Sequence, residues 1–223
     1  MVDFAEQRLN MVESQVRPSD LTDRRIMNAM LEVRREAYLP PALQGVAYSD
    51  GELSLGSIAG VMGVREMLAP RTVAQMLQAL ELEASDIVLL AGTGSGYEAA
   101  LLSHMVQTIV CVESDQGLSN WAEAALQDQD VGNAATVEGP LDQGFASEGP
   151  FDAIMINGGV DQVPAGLLDQ LKDGGRLVAI LREDGVTRLA LWQRDGERYA
   201  RREHNAAAAC ILPAFEREAS FEF

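Results

Sequence analysis

The sequence predicts an α/β protein built on a mainly parallel sheet. From Asp86 onward, short apolar segments alternate with helical patterns, and strand–helix–strand units repeated in this way form open parallel sheets. The apolar segments lack a polar face, as expected for strands covered by helices on both sides. A glycine-rich turn, GTGSG at 92–96, lies between the first such segment and the helix that follows it.

Length and charge limit the class of protein. A chain of 223 residues can bury one sizeable core without disulfides. Its formal net charge of −17 argues against a nucleic-acid partner, because such proteins concentrate Lys and Arg. The N-terminus lacks the pattern of a signal peptide, and no apolar run approaches the roughly 20 residues that span a bilayer. We therefore expect a cytoplasmic protein with neither a membrane nor a nucleic acid as partner.

The N-terminal part reads as two helices. Apolar residues recur at three- and four-residue spacing from Asp3 to Val16, and a second helical run covers 21–33. Thr22 or Asp20 is the expected N-cap of the second run, since a short side-chain oxygen satisfies the first free amides. The prolines beginning at Pro40 end the helical pattern.

A long glycine-rich segment follows these helices. Residues Val46 to Ala69 are weakly periodic, and loops of this length in compact domains are usually functional. A helix then starts at Pro70, which suits the first turn. We expect one domain over 1–223, with N-terminal helices and an active-site loop in 1–82 and the sheet with a C-terminal hairpin in 83–223.

Five strands and three helices account for most of the remaining chain. The strands are DIVLLAG, TIVCVES, AATVEG, FDAIMIN and GRLVAILR, and the helices are GYEAALLSHM, GLSNWAEAALQDQ and VPAGLLDQLKDGG. The last helix is expected to end at Gly174 and Gly175, which are typical helix-terminating residues. The sequence RDGER near the C-terminus predicts a hairpin, which would add antiparallel strands at the sheet edge.

The glycine turn lies where open parallel sheets bind ligands, at the carboxyl end of a strand and the N-terminus of a helix. Its G-x-G-x-G spacing lacks the third glycine of the dinucleotide fingerprint. Glu113 ends the next strand about 20 residues on, where a carboxylate accepts the ribose hydroxyls of an adenosine-type cofactor. In the alternative interpretation the glycines form a tight turn and Glu113 caps the next helix.

The motif around this turn resembles that of the protein-L-isoaspartate O-methyltransferase family. VLLAGTGSGYEAA, at 88–100, is similar to the family's VLEIGTGSGYQAA. Four further segments match family segments in the same order: MVESQVRPSDLTDRRIMNAMLEVRREAYLP, AYSDGELSLG, PFDAIMIN and LLDQLKDGGRLVAIL. The resemblance covers most of the chain.

This resemblance implies a Rossmann-like methyltransferase fold with S-adenosylmethionine as methyl donor and S-adenosylhomocysteine as product. It also implies carboxyl methylation of isoaspartyl residues in proteins or peptides, a protein-repair reaction. The residues expected to bind the donor are Gly92, Thr93, Gly94, Ser95, Gly96, Glu113, Ser114, Gly139 and Asn157.

Several positions depart from the family pattern. Leu68 stands at the position of the family's active-site serine and offers no hydroxyl, so the catalytic residue is unknown. Arg65 and Glu66 replace a glutamine and a threonine of the same loop, which is also longer here. Leu90 replaces an acidic residue of the first strand, and Pro140 replaces an aspartate. These departures predict weak or redirected methylation. A methyltransferase for another small acceptor and a donor-binding protein without catalysis stay open.

Neither histidines nor cysteines indicate a metal site. His104 and His204 are the sole histidines and lack the spacing of a ligand pair. Cys111 and Cys210 lie in apolar segments, where a free thiol behaves as a small buried hydrophobe.

Overall fold

The computed structural model describes residues 3–58, 60–61 and 64–217, which form a seven-stranded sheet covered by helices. The α-helices are α1 (Phe4–Met11), α2 (Arg24–Glu32), α3 (Pro41–Gln44), α4 (Pro70–Ala79), α5 (Tyr97–Ser103), α6 (Gln116–Asp128) and α7 (Ala165–Leu168). The strands are β1 (Leu53–Ser54), β2 (Glu66–Met67), β3 (Ile87–Ala91), β4 (Thr108–Glu113), β5 (Ala134–Glu138), β6 (Phe151–Val160), β7 (Leu171–Glu183), β8 (Val186–Asp195) and β9 (Arg198–Ala206). A π-helical segment, Val12–Val16, continues α1.

The sheet order is β5-β4-β3-β6-β7-β8-β9. Strands β3 to β7 pair in parallel, and β8 and β9 extend the edge in antiparallel pairing. The expected mainly parallel sheet with C-terminal antiparallel strands is confirmed. Because β3 is flanked by β4 and β6, the strand order reverses beside it, and open α/β sheets bind ligands at the carboxyl ends of strands there.

Both faces of β3 are buried. Val88 and Leu90 join an apolar cluster with α1, α2, α4 and α5. Leu89 and Ala91 point to the opposite face and join a second cluster with α7 and the segment after β9. The alternation of a pleated strand therefore places helices over one face and the C-terminal segment over the other.

The N-cap of α2 differs from the expectation. Asp23 caps the helix, because its side chain accepts a hydrogen bond from Arg25 N at 2.8 Å. The backbone N–H of Thr22 instead donates to Gln78 Oε1 at 2.6 Å, and Asp20 adopts a φ of +60° before the helix. All three residues carry the short oxygen that caps prefer, so composition alone did not separate them.

The prediction that α7 ends at Gly174 and Gly175 is wrong. The helix covers Ala165–Leu168 alone, and β7 begins at Leu171. Leu171 pairs with Phe151 of β6, and a bulge that contains Gly174, with φ +77°, follows. The leucine spacing suits a helix, but pairing with the neighbouring strand takes this backbone into the sheet.

The predicted hairpin is present between β8 and β9, with Asp195 paired to Arg198 and Gly196 at a φ of +59°. Strand β9 is the last strand of the sheet, and its side chains are exposed along nearly its whole length. Within the described ranges, no helix has the length and apolar character needed to cross a membrane.

Gly159 of β6 provides a test of the packing against the C-terminal segment. Its N–H donates to Cys210 O at 2.8 Å, and a Cβ there would lie 2.7 Å from Ile211 Cδ1. We expect Gly159→Ala to lower the free energy of unfolding by about 1–3 kcal/mol because this segment must shift. Urea denaturation measures the change.

Gly166→Ala is the matched control, since a Cβ at this exposed position of α7 meets no described heavy atom within 4 Å. It should keep or slightly raise stability, because alanine favours helix over glycine. Equal midpoints for the Gly159 variant and the unmodified protein would contradict the packing described here.

Candidate functional site

The glycine turn joins β3 to α5 at the carboxyl edge of the sheet. Gly92, Gly94 and Gly96 have φ values of +85°, +60° and +93°, which glycine adopts without steric cost. The amides of Gly92 and Thr93 both donate to Val112 O of β4, at 2.9 and 3.3 Å. Thr93 and Ser95 are buried. The five residues expected from the motif therefore form one buried turn, fixed to the neighbouring strand.

Asn157, near the end of β6, lies against this turn. A Cβ at Gly94 would lie 3.4 Å from Asn157 Nδ2, and one at Gly92 would lie 3.6 Å from Asn157 O. The Asn157 amide donates from Nδ2 to Glu98 Oε2 at 3.1 Å. The structure thus brings Asn157 to the glycine turn, as the sequence suggested, and adds Glu98, which the sequence analysis missed.

Several buried polar atoms around the turn lack a partner. Among the described residues no hydrogen-bond partner reaches Thr93 Oγ1, Ser95 Oγ, Asn157 Oδ1 or Glu98 Oε1. Leaving one buried polar group unpaired costs about 1–3 kcal/mol, and folded proteins contain few such groups. Their concentration at one turn is typical of a site built for a polar ligand.

The buried acid at this site is Glu98, in the first turn of α5, which is 1% exposed. Burial raises the pKa of its carboxyl, and the positive charge of Arg35 partly opposes that shift. Arg35 is itself fully buried, with its guanidinium carbon 4.8 Å from the centre of the Tyr97 ring. Burial also raises the pKa of Tyr97 to about 12, so its phenol is neutral at physiological pH.

Glu113, at the end of β4, is fully buried and already has several partners. Its Oε2 accepts from Gly94 N at 3.0 Å. Its Oε1 accepts from the amides of Ser114 and Asp115 at 2.8 and 3.0 Å, and also pairs with Arg65 Nη2. In this conformation the guanidinium of Arg65 takes the place where a ribose diol was expected.

The alternative interpretation of Glu113 as a helix cap is wrong. Asp115 caps α6, since its side chain accepts from Leu118 N at 3.0 Å. Glu113 instead accepts hydrogen bonds from backbone amides of the turn before the helix and of the glycine turn. It joins β4, the glycine turn and the loop that carries Arg65.

Two segments from distant parts of the chain cover the glycine turn. Arg65 directly precedes β2, which pairs with β1 in a two-stranded ribbon. In the same loop, Leu55 Cδ1 lies 3.7 Å from a Cβ built at Gly94. From the other side, Leu212 Cδ1 lies 3.5 Å from a Cβ built at Gly92. The chain's own side chains therefore pack against the turn.

Leu68 lies in the apolar core and is 1% exposed. Its carbonyl accepts a hydrogen bond from Arg35 Nη2 at 2.7 Å, and Arg35 Nε donates to Ala47 O at 2.7 Å. The side chain that stands at the family's serine position thus provides packing and no polar group. The fixed Arg35 beside it is a second residue that the sequence analysis missed.

Beyond Glu113 lies a cavity of about 300 Å³, bordered by Arg65, Ser114 and Leu141. Gly60, Asp115, Gln116, Pro213 and Ala214 complete its lining. Gly139 lies close by, with its N–H donating to Glu113 O at 3.0 Å, and Pro140 is exposed. Ser114 and Gly139 are therefore near one end of the candidate site.

The residues considered for metal binding and redox chemistry lie apart. No group of three or more His, Cys, Asp or Glu residues suited to a metal occurs in the part of the chain that the structure describes. His104 is half-exposed, with Nδ1 3.4 Å from Glu32 Oε2, and His204 lies on exposed β9. Cys111 is buried in β4, and Cys210 is partly buried after β9.

The mainly parallel sheet and the glycine turn at its switch point define a Rossmann-like α/β protein. Residues 6–218 match the family model described as Protein-L-isoaspartate(D-aspartate) O-methyltransferase (PCMT). The chain therefore belongs to the PCMT family. The family and the methyltransferase class predicted from the sequence are both confirmed.

Individual relatives agree with this assignment. The protein-L-isoaspartate O-methyltransferase of Serratia proteamaculans is 36% identical over 82% of this chain and 86% of its own length. Protein-L-isoaspartate O-methyltransferase 2 of Shewanella sediminis is 38% identical, over 88% and 78% respectively.

Solved structures share the fold. One protein-L-isoaspartate O-methyltransferase superposes with a TM-score of 0.80 at 23% identity, covering 92% of this chain, which spans 65% of that structure's length. A second, the Plasmodium falciparum PCMT crystallised with S-adenosyl-L-homocysteine, gives a TM-score of 0.78 at 19% identity, covering 96% of this chain and all of its own.

The raised pKa of Glu98 has a consequence for stability. Because the folded state favours the neutral carboxyl, its stabilisation is complete below the unfolded pKa and is lost as pH rises through the folded pKa. We expect the free energy of unfolding of Glu98→Gln, minus that of the unmodified protein, to increase as the pH rises above the ordinary pKa of a glutamate carboxyl. Urea denaturation at several pH values measures this difference.

Glu123→Gln, at an exposed position of α6, is the control and should show no comparable trend. A pH-independent difference for Glu98→Gln would mean that Glu98 keeps the same protonation state in folded and unfolded chains.

Proposed function

We propose that this PCMT-family methyltransferase uses S-adenosylmethionine as its donor and methylates the carboxyl group of isoaspartyl residues in proteins or peptides. The names of its relatives supply the acceptor, and the co-crystallised product of the Plasmodium falciparum protein supplies the donor. The observation that carries the proposal is the buried glycine turn with unpartnered oxygens on Thr93, Ser95 and Asn157.

The described residues fit the donor at the glycine turn. The turn admits close backbone approach, and the unpartnered oxygens suit the polar amino-acid end of the donor. We assign its adenine to the cavity of about 300 Å³ beyond Glu113, which Ser114 lines and near which Gly139 lies. The donor supplies a methyl group on a positively charged sulfur, and the chain's task is to hold that group in line with the acceptor.

At Glu113 the fit depends on Arg65. The carboxylate accepts three backbone amides and the guanidinium, so the ribose hydroxyls must replace the guanidinium. Replacing this buried ion pair weakens donor binding by the cost of separating the two charges, because a buried charge without its partner is destabilising.

Turnover is proposed to be slow. Methyl transfer to a carboxylate depends on orientation, and the buried side chain of Leu68 cannot donate a hydrogen bond to an acceptor. Loss of one orienting donor typically lowers the rate by two to three orders of magnitude, about 3–4 kcal/mol. A slow enzyme is therefore the outcome we propose for the family reaction.

We also propose that residues 1–223 form one methyltransferase-type domain that works in the cytoplasm. The apolar cluster beneath α5 is shared by Met11 and Ile26 from the N-terminal helices and Val88 from the sheet, which supports a single unit. Residues 1–82 then cover the site that residues 83–223 build.

A second candidate is a donor-binding protein without catalysis, which acts as a sensor or structural element. Two observations together favour it. The buried Leu68 side chain has no hydroxyl, and Arg65 already pairs with Glu113, where the ribose of the donor was expected. A methyltransferase for another small acceptor is the third reading, and screening acceptors for released S-adenosylhomocysteine tests it.

Calorimetric titration with S-adenosylmethionine and S-adenosylhomocysteine, followed by an isoaspartyl-peptide methylation assay, tests the proposal. We expect Arg65→Gln to bind both ligands about tenfold more tightly than the unmodified protein. The charge-assisted bond that the ligand must displace is worth about 1.5–3 kcal/mol, and 1.4 kcal/mol corresponds to a tenfold change. Arg71→Gln, at an exposed site on α4, is the control and should leave affinity unchanged.

Binding with slow turnover supports the family reaction. Binding with no turnover favours the non-catalytic candidate. If neither the unmodified protein nor Arg65→Gln binds either ligand, S-adenosylmethionine is not the donor.

A further inference from the structure

The unpartnered atoms at the glycine turn include an amide oxygen and, when Glu98 is ionised, a carboxylate oxygen, and neither of these can donate a hydrogen bond. Asn157 Oδ1 is a carbonyl oxygen, and Glu98 Oε1 belongs to a carboxyl whose second oxygen already accepts from Asn157 Nδ2. The hydroxyls of Thr93 and Ser95 stand nearby in the turn. The Asn157 and Glu98 oxygens can both accept hydrogen bonds from a ligand that carries N–H groups.

Among the described residues, no cation is hydrogen-bonded to either oxygen. Arg35 interacts electrostatically with Glu98, but its bonded nitrogens donate to the carbonyls of Ala47 and Leu68. No hydrogen bond joins Arg35 to Glu98 in the described part of the chain, where Arg35 Nη1 has no partner. Within the described ranges, Glu98 is therefore a buried acid that has an amide partner and no bonded cation.

The burial of Glu98 suits a positively charged ligand group. Glu98 is 1% exposed, and burial favours the neutral form of its carboxyl, so a bound cation would stabilise the carboxylate and interact with it strongly.

The sequence shows that the acidic position has changed. The similar family motif has an acid at the position of Leu90 and a glutamine at the position of Glu98, whereas this chain has a leucine and a glutamate there. Leu90 is fully buried in the apolar cluster that also contains Tyr97 and Leu101 of α5, so both positions lie on the same side of the sheet. One carboxyl is lost from β3 and one is gained on α5.

We propose that Glu98 is a specificity-determining residue that binds the α-ammonium group of the donor, with Asn157 Oδ1 as its second acceptor. This inference deepens the proposed function and rests on it. The ammonium provides three N–H donors where the turn has unpaired oxygens. Glu98 thereby makes the site select an adenosine ligand that carries an amino-acid end.

Two ligands that differ in that end test the proposal. S-adenosylhomocysteine has the amino-acid portion, whereas 5′-methylthioadenosine keeps the adenosine and the sulfur and lacks that portion. Calorimetry gives the dissociation constants of both for the unmodified protein, Glu98→Gln and the surface control Glu123→Gln. Glutamine has nearly the same shape as glutamate, and thermal unfolding confirms that each variant is folded.

We expect Glu98→Gln to weaken S-adenosylhomocysteine binding about tenfold or more, since a charge-assisted hydrogen bond is lost. Binding of 5′-methylthioadenosine should be unchanged. The dissociation constant of 5′-methylthioadenosine divided by that of S-adenosylhomocysteine should therefore decrease by the same factor. Glu123→Gln should match the unmodified protein with both ligands.

Three results would overturn the role of Glu98. They are equal weakening of both ligands, which indicates a structural role in the turn; unchanged S-adenosylhomocysteine binding; and an unmodified protein that binds both ligands equally. If the unmodified protein and Arg65→Gln bind neither ligand, the proposed donor itself is overturned, and the inference with it.

Discussion

The left-handed turn after β3 is the constraint on which the site depends. Three glycines in the positive-φ region bend the chain sharply from strand into helix, and two of the turn's amides are fixed by a single carbonyl of β4. This geometry sets the direction of α5, which places Tyr97 and Glu98 inside the protein. The same turn brings Gly94 N to Glu113 and its Cα next to Asn157. The polar character of the site follows from this one bend.

Most of the fold was predictable because its determinants are local. The five core strands, the glycine turn and the β8–β9 hairpin follow from apolar runs and from glycines at positions that require them. The length of α7 was not predictable in this way, because pairing of Leu171 with Phe151 decides it. The partners of Glu113 were also hidden, since Arg65 lies 48 residues before it in the chain. The sequence does show a glutamate at position 98 where the family motif has a glutamine. Its place in the site becomes evident only from the structure, where Asn157 donates a hydrogen bond to it.

Buried charge explains why the site is filled by its own chain. Glu113 is fully enclosed, and a carboxylate in such surroundings requires a compensating charge or several hydrogen bonds. Backbone amides provide part of this compensation, and Arg65 provides the positive charge. At the other end of the turn, Glu98 has an amide partner and, among the described residues, no bonded cation. The two acids of the site thus differ in their partners. Glu113 is paired with a cation of the chain, whereas Glu98 is the acid that we propose binds a cationic group of the ligand.

The exposed strand β9 affects whether other polypeptides can pair with the edge of the sheet. An edge strand offers unpaired backbone groups to any extended polypeptide, and charged side chains on the edge discourage such pairing. On β9, Arg201 lies 3.1 Å from both Glu183 and Glu203, and Arg198 and Arg202 are exposed beside it. A strand added there would have to dehydrate this row of ions. The sheet edge therefore disfavours the addition of an extended segment from another polypeptide.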